Sequence, residues 1–333
     1  MKSQKITVLG AGAFGLCLAV SLNGMGHSVT IRSGHCDELV RDRENKDKLP
    51  GVRIGQGIEI TSDISSVCGR DLVIAAVPTA QVRRLMREAA PYLDDRTVIV
   101  NTGKGLEADS YKRMSEVVTE ETERPCVVLT GPSHAEEVAR GVPTTIVAAC
   151  TDREKMEFVQ AVMSTSSLRV YLNDDVIGCE IGGALKNVIA LCAGICDGMG
   201  LGDNTRAALM TRGVWEISRL GVALGGKMET FAGLTGIGDL IVTCTSMHSR
   251  NRRAGILIGE GVSPEEAVSR IGTVEGYFCT KAAYELSRQC GICLPITEQC
   301  YRVLFEGHDP RNAIRSLMER PHRSESENAF YGL

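Results

Sequence analysis

The chain has 333 residues, of which 43% are hydrophobic and 23% are charged, and its formal net charge is -4. This composition is typical of a soluble globular protein large enough for two domains, and the lack of a basic excess argues against nucleic-acid binding. The amino terminus has no secretory pattern, and no uninterrupted apolar stretch reaches the roughly 20 residues of a membrane helix. We therefore expect a cytoplasmic protein without stable membrane insertion.

Thirteen cysteines are scattered mainly through apolar segments, and their number is odd. This pattern predicts reduced cysteines that pack in the core rather than a disulfide framework. Cys290-Gly-Ile-Cys293 has redox or metal spacing, but no second Cys pair or Cys/His pair accompanies it at zinc-site distance. We expect no metal site.

The first predicted strand, Lys5–Leu9, runs into Gly10-Ala-Gly-Ala-Phe-Gly15 and then into an apolar helix over residues 16–25. A strand, glycine turn and helix in this order form the context of a dinucleotide-binding fingerprint. Gly10 permits the tight turn, Gly12 admits the pyrophosphate, and Gly15 lets the helix pack closely. The helix N-terminus then favours the phosphates.

The second predicted strand, residues 27–32, ends where an NAD-selective protein usually presents a carboxylate to the ribose hydroxyls. This chain instead has Arg32 and Ser33, with no carboxylate until Asp37. A guanidinium here can pair with a 2′-phosphate, although it can also stack on adenine. The pattern favours NADP over NAD.

Further strand-like runs and amphipathic helical patterns alternate through the first half and predict a mainly parallel sheet covered on both faces. The strands are expected at residues 71–77, 97–101, 126–130, 144–149 and 168–171, and the main helices at 79–90, 111–122 and 153–163. From residue 176 onward only helices are predicted, at 176–194, 206–221, 265–271, 282–289, 296–305 and 311–318.

The carboxylates of Asn173-Asp-Asp175 suit a helix start and mark the predicted boundary between the halves. The fold class is therefore α/β: an N-terminal Rossmann-like, mainly parallel sheet followed by an all-α substrate domain. We expect a dinucleotide-binding domain at residues 1–175 and a helical substrate and catalytic domain at 176–333. The polar residues 320–333 are predicted to be partly disordered.

Two predicted strand ends carry polar turns, Asn101-Thr-Gly-Lys-Gly-Leu-Glu107 and Thr130-Gly-Pro-Ser-His-Ala-Glu136. Ligands in such sheets lie beyond the carboxyl ends of the strands. Lys104 is long enough to reach a phosphate or polarise a carbonyl, but it can also be a solvated surface lysine. Ser133 and Glu136 can form a capping box, a local role that competes with ligand binding or coexists with it.

The helix predicted to open the second half is apolar except for Glu180, Lys186 and Asn187. A helix this apolar is normally buried on most of its surface. A lysine in its middle therefore needs a partner, a cavity or a chemical task, unless it snorkels to solvent. Desolvation would lower the pKa of Lys186 toward working pH, where an amine can donate and accept protons.

These motifs, with several further stretches in the second half, resemble the NAD(P)-dependent glycerol-3-phosphate dehydrogenases of the soluble bacterial type. The matching stretches occur in family order and span nearly the whole chain. Beyond the glycine turn, the two polar turns and residues 183–190, they are Arg206-Ala-Ala-Leu-Met-Thr-Arg-Gly213, Gly233-Leu-Thr-Gly-Ile-Gly-Asp-Leu240, Thr243-Cys-Thr-Ser246, Ser249-Arg-Asn-Arg252 and Val274-Glu-Gly276.

The resemblance implies reversible hydride transfer between NADP, or NAD, and dihydroxyacetone phosphate, giving sn-glycerol 3-phosphate for phospholipid synthesis. It implies that Lys186 is the proton donor and acceptor and that Lys104 and Asp239 complete the catalytic set. The implied cofactor-binding residues are Gly10, Gly12, Ala13, Phe14, Gly15, Arg32, Lys104, Ala135, Arg250, Thr273 and Glu275. The implied substrate-binding residues are Lys104, Gly131, Ser133, Lys186, Asp239, Ser249, Arg250 and Asn251. A homodimer is the family-based expectation.

Some positions depart from the family pattern, and other readings stay open. His134 stands where the family often has phenylalanine, and Phe278-Cys279 stand where polar residues are common. Asn187 can touch substrate or cofactor, and Glu180 can orient Lys186. The alternatives are a related β-hydroxyacid or 6-phosphogluconate type dehydrogenase and a non-catalytic NADP sensor.

Overall fold

The structure, a computed structural model, describes residues 2–322 and residue 325. Most of the C-terminal segment predicted to be partly disordered therefore lies outside the described residues. Eight strands form one sheet, and no strand follows Asn173 in the described part of the chain. The strands are β1 (Lys5–Leu9), β2 (Ser28–Arg32), β3 (Glu59–Thr61), β4 (Leu72–Ala75), β5 (Val98–Asn101), β6 (Val127–Thr130), β7 (Thr144–Ala149) and β8 (Leu168–Asn173).

The strand order β3-β2-β1-β4-β5-β6-β7-β8 contains the arrangement of a dinucleotide-binding sheet. All neighbouring strands are parallel except β6 and β7. The connection between β6 and β7 carries only one short helix, Ala135–Val138, and a parallel crossover normally needs a longer one. Strand β3 is not among the predicted strands, because it has three residues and lies in a polar segment.

Helices cover both faces of the sheet, as the sequence predicts. They are α1 (Ala13–Gly24), α2 (Cys36–Asp42), α3 (Thr79–Ala89), α4 (Met114–Thr122), α5 (Ala135–Val138) and α6 (Arg153–Met163). Ile6 and Val8 of β1 point to the core under α1 and α6, whereas Leu9 points to the core under α3 and α4. Helix α4 begins three residues later than predicted, because Tyr111 has a positive φ of 58°.

The second half is helical throughout its described residues. Its helices are α7 (Val176–Gly198), α8 (Asp203–Ala223), α9 (Met228–Phe231), α10 (Asp239–Thr245), α11 (Arg250–Gly259), α12 (Pro264–Ile271), α13 (Glu275–Gln289), α14 (Pro295–Phe305) and α15 (Pro310–Met318). A π-helical turn, Leu234–Gly238, leads directly into α10. Such turns recur at functional sites in proteins.

Helix α7 is the central element of this half. The carboxylate of Asp175 accepts the Gly178 N–H at 2.8 Å and caps the helix, at the boundary that the sequence predicts. Helix α7 has 23 residues, and an 18-residue stretch of it has a mean hydropathy of 1.5, so the helix is long and apolar enough to cross a membrane. However, 89% of that stretch is buried inside the protein. The core helix of a soluble protein passes the same test.

Helices α7 and α11 pack backbone to backbone through glycines on both helices. A Cβ at Gly194 would lie 2.0 Å from the carbonyl oxygen of Arg252, and a Cβ at Gly255 would lie 2.1 Å from a carbonyl oxygen of α7. Gly198 and Gly259 repeat this contact one turn further along. The closeness of α11 to α7 therefore depends on the absence of side chains.

We expect Gly255→Ala to lower the free energy of unfolding by about 3 kcal/mol or more, because backbone atoms of α7 cannot yield as a side chain can. Urea unfolding followed by circular dichroism measures this change. Gly24→Ala is the matched control, because a Cβ at the end of α1 meets no atom within 4 Å. Equal stability of the two variants would contradict the close packing.

Candidate active site

The glycine-rich turn between β1 and α1 leaves open space above one glycine only. Gly10 has a φ of 114°, and a Cβ there would lie 2.5 Å from the Ala76 carbonyl oxygen. A Cβ at Gly15 would lie 2.4 Å from the Gly10 carbonyl oxygen, so α1 packs directly on the turn. At Gly12, by contrast, the nearest described atom to a Cβ is 3.9 Å away. The turn therefore has room for a ligand at Gly12.

The N-terminus of α1 fits a dinucleotide pyrophosphate. Gly12 is the N-cap and provides no side-chain cap, so the first N–H groups of the helix remain available, at the positive end of its dipole. Ala13 and Phe14 form the first turn and are half-buried. The turn lies between β1 and β4, next to the point where the strand order reverses.

Arg32 ends β2 at the same edge of the sheet. Its Nε donates to the Ser62 carbonyl oxygen at 3.2 Å, and its Nη2 lies 3.9 Å from a Glu88 carboxylate oxygen. Only 23% of the side chain is exposed. A guanidinium has five N–H donors, so Arg32 keeps donors for an anionic ligand group at this strand end.

Lys104 joins the sheet to the helical half. Its Nζ donates to the Gly131 carbonyl oxygen at 2.6 Å and to Ser133 Oγ at 3.2 Å, and it lies 3.0 Å from Asp239 Oδ2. The side chain is 19% exposed, so the interpretation of Lys104 as a solvated surface lysine is wrong. The loops after β5 and β6 therefore meet α10 around one ammonium group.

Lys186 is buried in the middle of α7 and does not snorkel to solvent. Its Nζ lies 2.5 Å from Asp239 Oδ1 and donates to Thr243 Oγ1 at 3.0 Å. Asp239, the first residue of α10, is itself buried, and its two carboxylate oxygens contact Lys186 and Lys104 separately. A single buried carboxylate thus bridges two ammonium groups.

The burial of this cluster shifts the pKa of both Lys186 and Asp239. Burial lowers the pKa of Lys186 to about 8; the charge of Lys104 adds to this effect, and the charge of Asp239 opposes it. Burial alone would raise the pKa of Asp239, but the two lysines outweigh it and lower that pKa to about 2. At neutral pH Asp239 is therefore ionised, while Lys186 can both donate and accept a proton.

An amide network ties the Lys104 loop to three helices of the second half. Asn187 Nδ2 donates to the Lys104 carbonyl oxygen at 2.9 Å, and Asn251 Nδ2 donates to Asn187 Oδ1 at 2.9 Å. The Gly276 N–H donates to Asn251 Oδ1 at 2.8 Å. Asn251 is a predicted substrate contact. Its side-chain oxygen and one of its N–H groups form the hydrogen bonds that hold α11 between α7 and α13.

Three further predicted cofactor neighbours lie at or next to helix starts, and one of them borders the crevice that follows β4. Glu275, the first residue of α13, accepts hydrogen bonds from Thr79 N at 3.2 Å and from Thr79 Oγ1 at 2.7 Å, at the start of α3. Thr273 precedes α13 and is half-buried, and Ala135 is buried at the start of α5. Glu275 thus connects the helical half to the sheet half at the edge of the crevice.

The predicted phosphate segment begins α11. Ser249 is the N-cap, and its Oγ accepts the Arg252 N–H at 3.2 Å. Arg250 is exposed and makes no hydrogen bond or ion pair with the described residues. Arg252 is not a solvated arginine, because it pairs with Asp197 at 2.7 Å. Of Arg250 and Arg252, Arg250 is therefore the one whose side chain remains free for a ligand.

The predicted capping box at Ser133 and Glu136 is wrong. The N-cap of α5 is His134, and no side chain caps the helix. Ser133 Oγ instead donates to the Gly131 carbonyl oxygen at 2.9 Å and accepts from Lys104. The ammonium group of Lys104 thus holds the hydroxyl away from the helix start.

The proposed orienting role of Glu180 toward Lys186 is also wrong. The Glu180 carboxylate is buried and accepts hydrogen bonds from Arg113 Nη1 at 2.9 Å and from the Ser115 N–H at 2.8 Å. It therefore ties α7 to α4. Burial raises the pKa of Glu180, and Arg113 and Ser115 favour its charged form.

We expect Glu180→Gln to lower the free energy of unfolding by about 3 kcal/mol, because it removes the buried carboxylate between Arg113 and the Ser115 N–H and leaves Arg113 with only the more exposed Glu116 as a counter-charge. Turnover of the folded variant should stay within about twofold of wild type. Glu116→Gln is the matched control, because Glu116 pairs with Arg113 from the exposed side and its loss costs under about 1 kcal/mol. A large loss of turnover in folded Glu180→Gln would restore the orienting role.

Sequence reasoning missed two contributors to the site. Thr243 holds Lys186, as described above, and its Oγ1 also donates to the Asp239 carbonyl oxygen at 2.6 Å. Arg83 on α3 donates two hydrogen bonds to the Glu107 carboxylate, from Nε at 2.6 Å and from Nη2 at 2.8 Å. Both Thr243 and Glu107 lie inside stretches that match the family pattern. Nothing in the sequence around Arg83 indicates a role at the site.

The other residues that the sequence singles out are Phe278, Cys279 and the remaining cysteines. Phe278 is 46% exposed, and Cys279 is buried. All thirteen cysteines are free, and nine of them are buried: Cys17, Cys126, Cys150, Cys179, Cys192, Cys196, Cys244, Cys279 and Cys300. No group of three or more His, Cys, Asp or Glu side chains that could hold a metal occurs within residues 2–322.

A dinucleotide-binding sheet whose Lys104 loop meets a buried lysine cluster of a helical half is the arrangement of the class of nicotinamide-dependent dehydrogenases. Residues 5–156 match the family model for the N-terminus of NAD-dependent glycerol-3-phosphate dehydrogenase, and residues 175–315 match the model for its C-terminus. The chain therefore belongs to the NAD-dependent glycerol-3-phosphate dehydrogenase family.

Similar proteins span the whole chain. A glycerol-3-phosphate dehydrogenase [NAD(P)+] from Moorella thermoacetica is 54% identical over 330 residues, covering 98% of each chain. One from Desulfitobacterium hafniense is 51% identical, covering 97% of this chain and 93% of that protein. The crystal structure of glycerol-3-phosphate dehydrogenase from Coxiella burnetii has a TM-score of 0.91 at 37% identity and covers 96% of this chain and 99% of that one.

Proposed function

We propose that this protein interconverts dihydroxyacetone phosphate and sn-glycerol 3-phosphate with NADPH or NADH. The observation that carries the proposal is the buried cluster in which the Asp239 carboxylate bridges the ammonium groups of Lys186 and Lys104. Two lysines and one carboxylate leave an excess positive charge in a buried site. Such a charge favours a phosphorylated substrate and the alkoxide that develops when a ketone is reduced.

A bound nicotinamide would supply or accept the hydride, and Lys186 donates or accepts the proton. In ketone reduction the Lys186 ammonium donates its proton to the developing alkoxide oxygen, and in alcohol oxidation the neutral amine accepts it. Asp239 and Thr243 hold Nζ in place through both states. Lys104 polarises the same oxygen and is positioned by Gly131 and Ser133.

The phosphate of the substrate is proposed to bind at the start of α11. Ser249, Arg250 and Asn251 lie there, and Arg250 has a free guanidinium. An arginine binds phosphate oxygens with parallel N–H bonds. Ser249 Oγ accepts a helix N–H and keeps its own proton for a ligand oxygen. Gly131, Ser133, Lys104, Lys186 and Asp239 then surround the carbon end.

Purified protein mixed with NADPH and dihydroxyacetone phosphate should show a loss of nicotinamide absorbance and should produce sn-glycerol 3-phosphate. Reduction of NADP+ by 6-phosphogluconate or another β-hydroxyacid, with no turnover of dihydroxyacetone phosphate, would instead favour the related dehydrogenases. Nucleotide binding without turnover of any of these substrates across pH and salt would favour the NADP sensor. Either outcome rejects the proposed reaction.

We propose NADP as the preferred cofactor, because Arg32 rather than a carboxylate ends β2. Arg32→Ala should raise KM for NADPH about tenfold while KM for NADH changes less than about twofold, since only NADPH carries the 2′-phosphate. Arg153→Ala, which removes an 83% exposed arginine of α6, is the control. Equal changes in both KM values would contradict a role of Arg32 in cofactor choice.

The domain division at residues 175 and 176 is likewise a proposal, supported by the helix cap at Asp175 and by the separate family models on either side. We further propose a cytoplasmic homodimer without stable membrane insertion, whose product feeds phospholipid synthesis. Sedimentation of the purified protein tests the dimer, and growth of a depleted strain with and without added glycerol 3-phosphate tests the role.

A further inference from the structure

One buried polar atom at the rim of the cluster has no partner. His134 Nε2 is shielded from solvent and makes no hydrogen bond with any described residue. An unpaired buried polar group costs about 1–3 kcal/mol, and a hydrogen bond to a ligand oxygen would remove this cost at His134. A phenylalanine would fill the same space without this cost.

His134 lies between the two sets of proposed substrate contacts. It follows Ser133, whose Oγ contacts Lys104 Nζ at 3.2 Å. Its ring faces that of His248 with centroids 5.6 Å apart and planes tilted by 51°. His248 directly precedes Ser249 and Arg250. The imidazole of His134 therefore stands where the sheet-side loop meets the phosphate segment of α11.

The surroundings of His134 favour its neutral form. Burial lowers its pKa, and the positive charges of Lys186 and Lys104 lower it further, with a smaller effect of His248, while Glu136 on α5 opposes them. A neutral imidazole carries one N–H donor and one acceptor nitrogen. With the proton on Nε2, His134 can donate one hydrogen bond to an oxygen of an anionic ligand.

We propose that His134 is a substrate-binding residue whose Nε2 donates a hydrogen bond to a phosphate oxygen of the substrate, beside Ser249 and Arg250. This inference rests on the proposed function. It assigns the ligand contact to the phosphate end, because the carbon end is already held by Lys104, Lys186 and Asp239. His248 packs against the ring and positions it, with no direct contact to substrate required.

Two variants of His134 and a substrate without phosphate test this assignment. His134→Phe should raise KM for dihydroxyacetone phosphate about tenfold or more, with kcat within about threefold and KM for NADPH unchanged, because a hydrogen bond to a charged group is lost. His134→Gln, which retains an N–H donor near the position of Nε2, should recover most of the affinity. With dihydroxyacetone, wild type and His134→Phe should have equal kcat/KM.

His308→Phe is the control, because His308 is an exposed histidine near Glu306 in the segment between α14 and α15. A KM for dihydroxyacetone phosphate within twofold of wild type in His134→Phe overturns the inference, as does failure of a folded His134→Gln to exceed His134→Phe. An equal loss with dihydroxyacetone and its phosphate overturns the assignment to the phosphate end. A wild-type protein inactive toward dihydroxyacetone phosphate rejects the proposed function and the inference together.

Discussion

Lys186→Met should lower kcat in both directions on the order of 10³-fold, because methionine keeps the length of the side chain but can neither donate nor accept a proton. Stopped-flow and steady-state measurements with NADPH and dihydroxyacetone phosphate give kcat and both KM values. The Kd for NADPH should stay within about twofold of wild type, because Lys186 lies on α7 and the proposed nucleotide contacts lie at α1 and β2.

Lys281→Met is the control for this loss. Lys281 is an exposed lysine of α13, and its replacement should leave kcat unchanged. A Lys186→Met protein that keeps kcat within about tenfold of wild type would move the proton transfer to another group, for which Lys104, on the other oxygen of the Asp239 carboxylate, is a candidate.

Asp239→Asn should lower kcat for ketone reduction on the order of 10²-fold at neutral pH. The substitution keeps the shape but removes the negative charge that raises the pKa of Lys186, so that pKa should fall below about 8. The amine is then largely deprotonated and cannot donate a proton. The cluster also loses the buried carboxylate that both lysine side chains contact, which should lower the free energy of unfolding by about 3 kcal/mol.

A pH series separates this effect from simple misfolding. The reductive kcat of Asp239→Asn should rise as pH falls, because protonation of Lys186 is restored, whereas wild-type kcat should be flat below pH 7. Asp174→Asn, which removes an exposed carboxylate paired with Lys227, is the control and should match wild type. A folded Asp239→Asn enzyme with a pH profile like that of wild type would show that Asp239 does not set the charge state of Lys186.

The positions of seven of the eight strands and the nucleotide turn could be predicted from the sequence, because both depend on local signals. Gly10 and Gly15 sit where an added Cβ would strike backbone oxygen, and such steric needs leave a fixed glycine spacing. The burial of Lys186 could also be anticipated from the apolar residues of α7. The antiparallel pairing of β6 and β7 follows from the shortness of α5 between them. The length of this connection is a weaker signal in the sequence than the glycine spacing.

The partners of the charged residues could not be predicted, because they come from distant segments. Asp239 lies 53 residues beyond Lys186, and Arg113 lies 67 residues before Glu180. The sequence predicts that a buried Glu180 needs a partner. Only the fold shows that this partner is Arg113 and not Lys186. Ser133 illustrates the same limit, since Lys104 draws its hydroxyl away from the helix that it was expected to cap.

The glycines of α11 are a further case of non-local information. Gly255 and Gly259 reduce the intrinsic helix propensity of α11, and a local analysis would count them as unfavourable. Their value is apparent only when Gly194 and Gly198 of α7 face them in the fold. The close contact of the two helices brings Asn251 within hydrogen-bond distance of Asn187 and so fixes the proposed phosphate segment relative to Lys186.

The most direct test of the central claim, that Lys186 carries the proton in both directions, is the pH dependence of kcat/KM for dihydroxyacetone phosphate reduction and for sn-glycerol 3-phosphate oxidation. Because the pKa of Lys186 is about 8, the reductive rate should fall as pH rises through about 8, where the ammonium is lost. The oxidative rate should rise over the same range, where the neutral amine forms. Opposite limbs with one shared pKa near 8 are the predicted result, and limbs that run in the same direction, or no titration between pH 7 and 9, would contradict it.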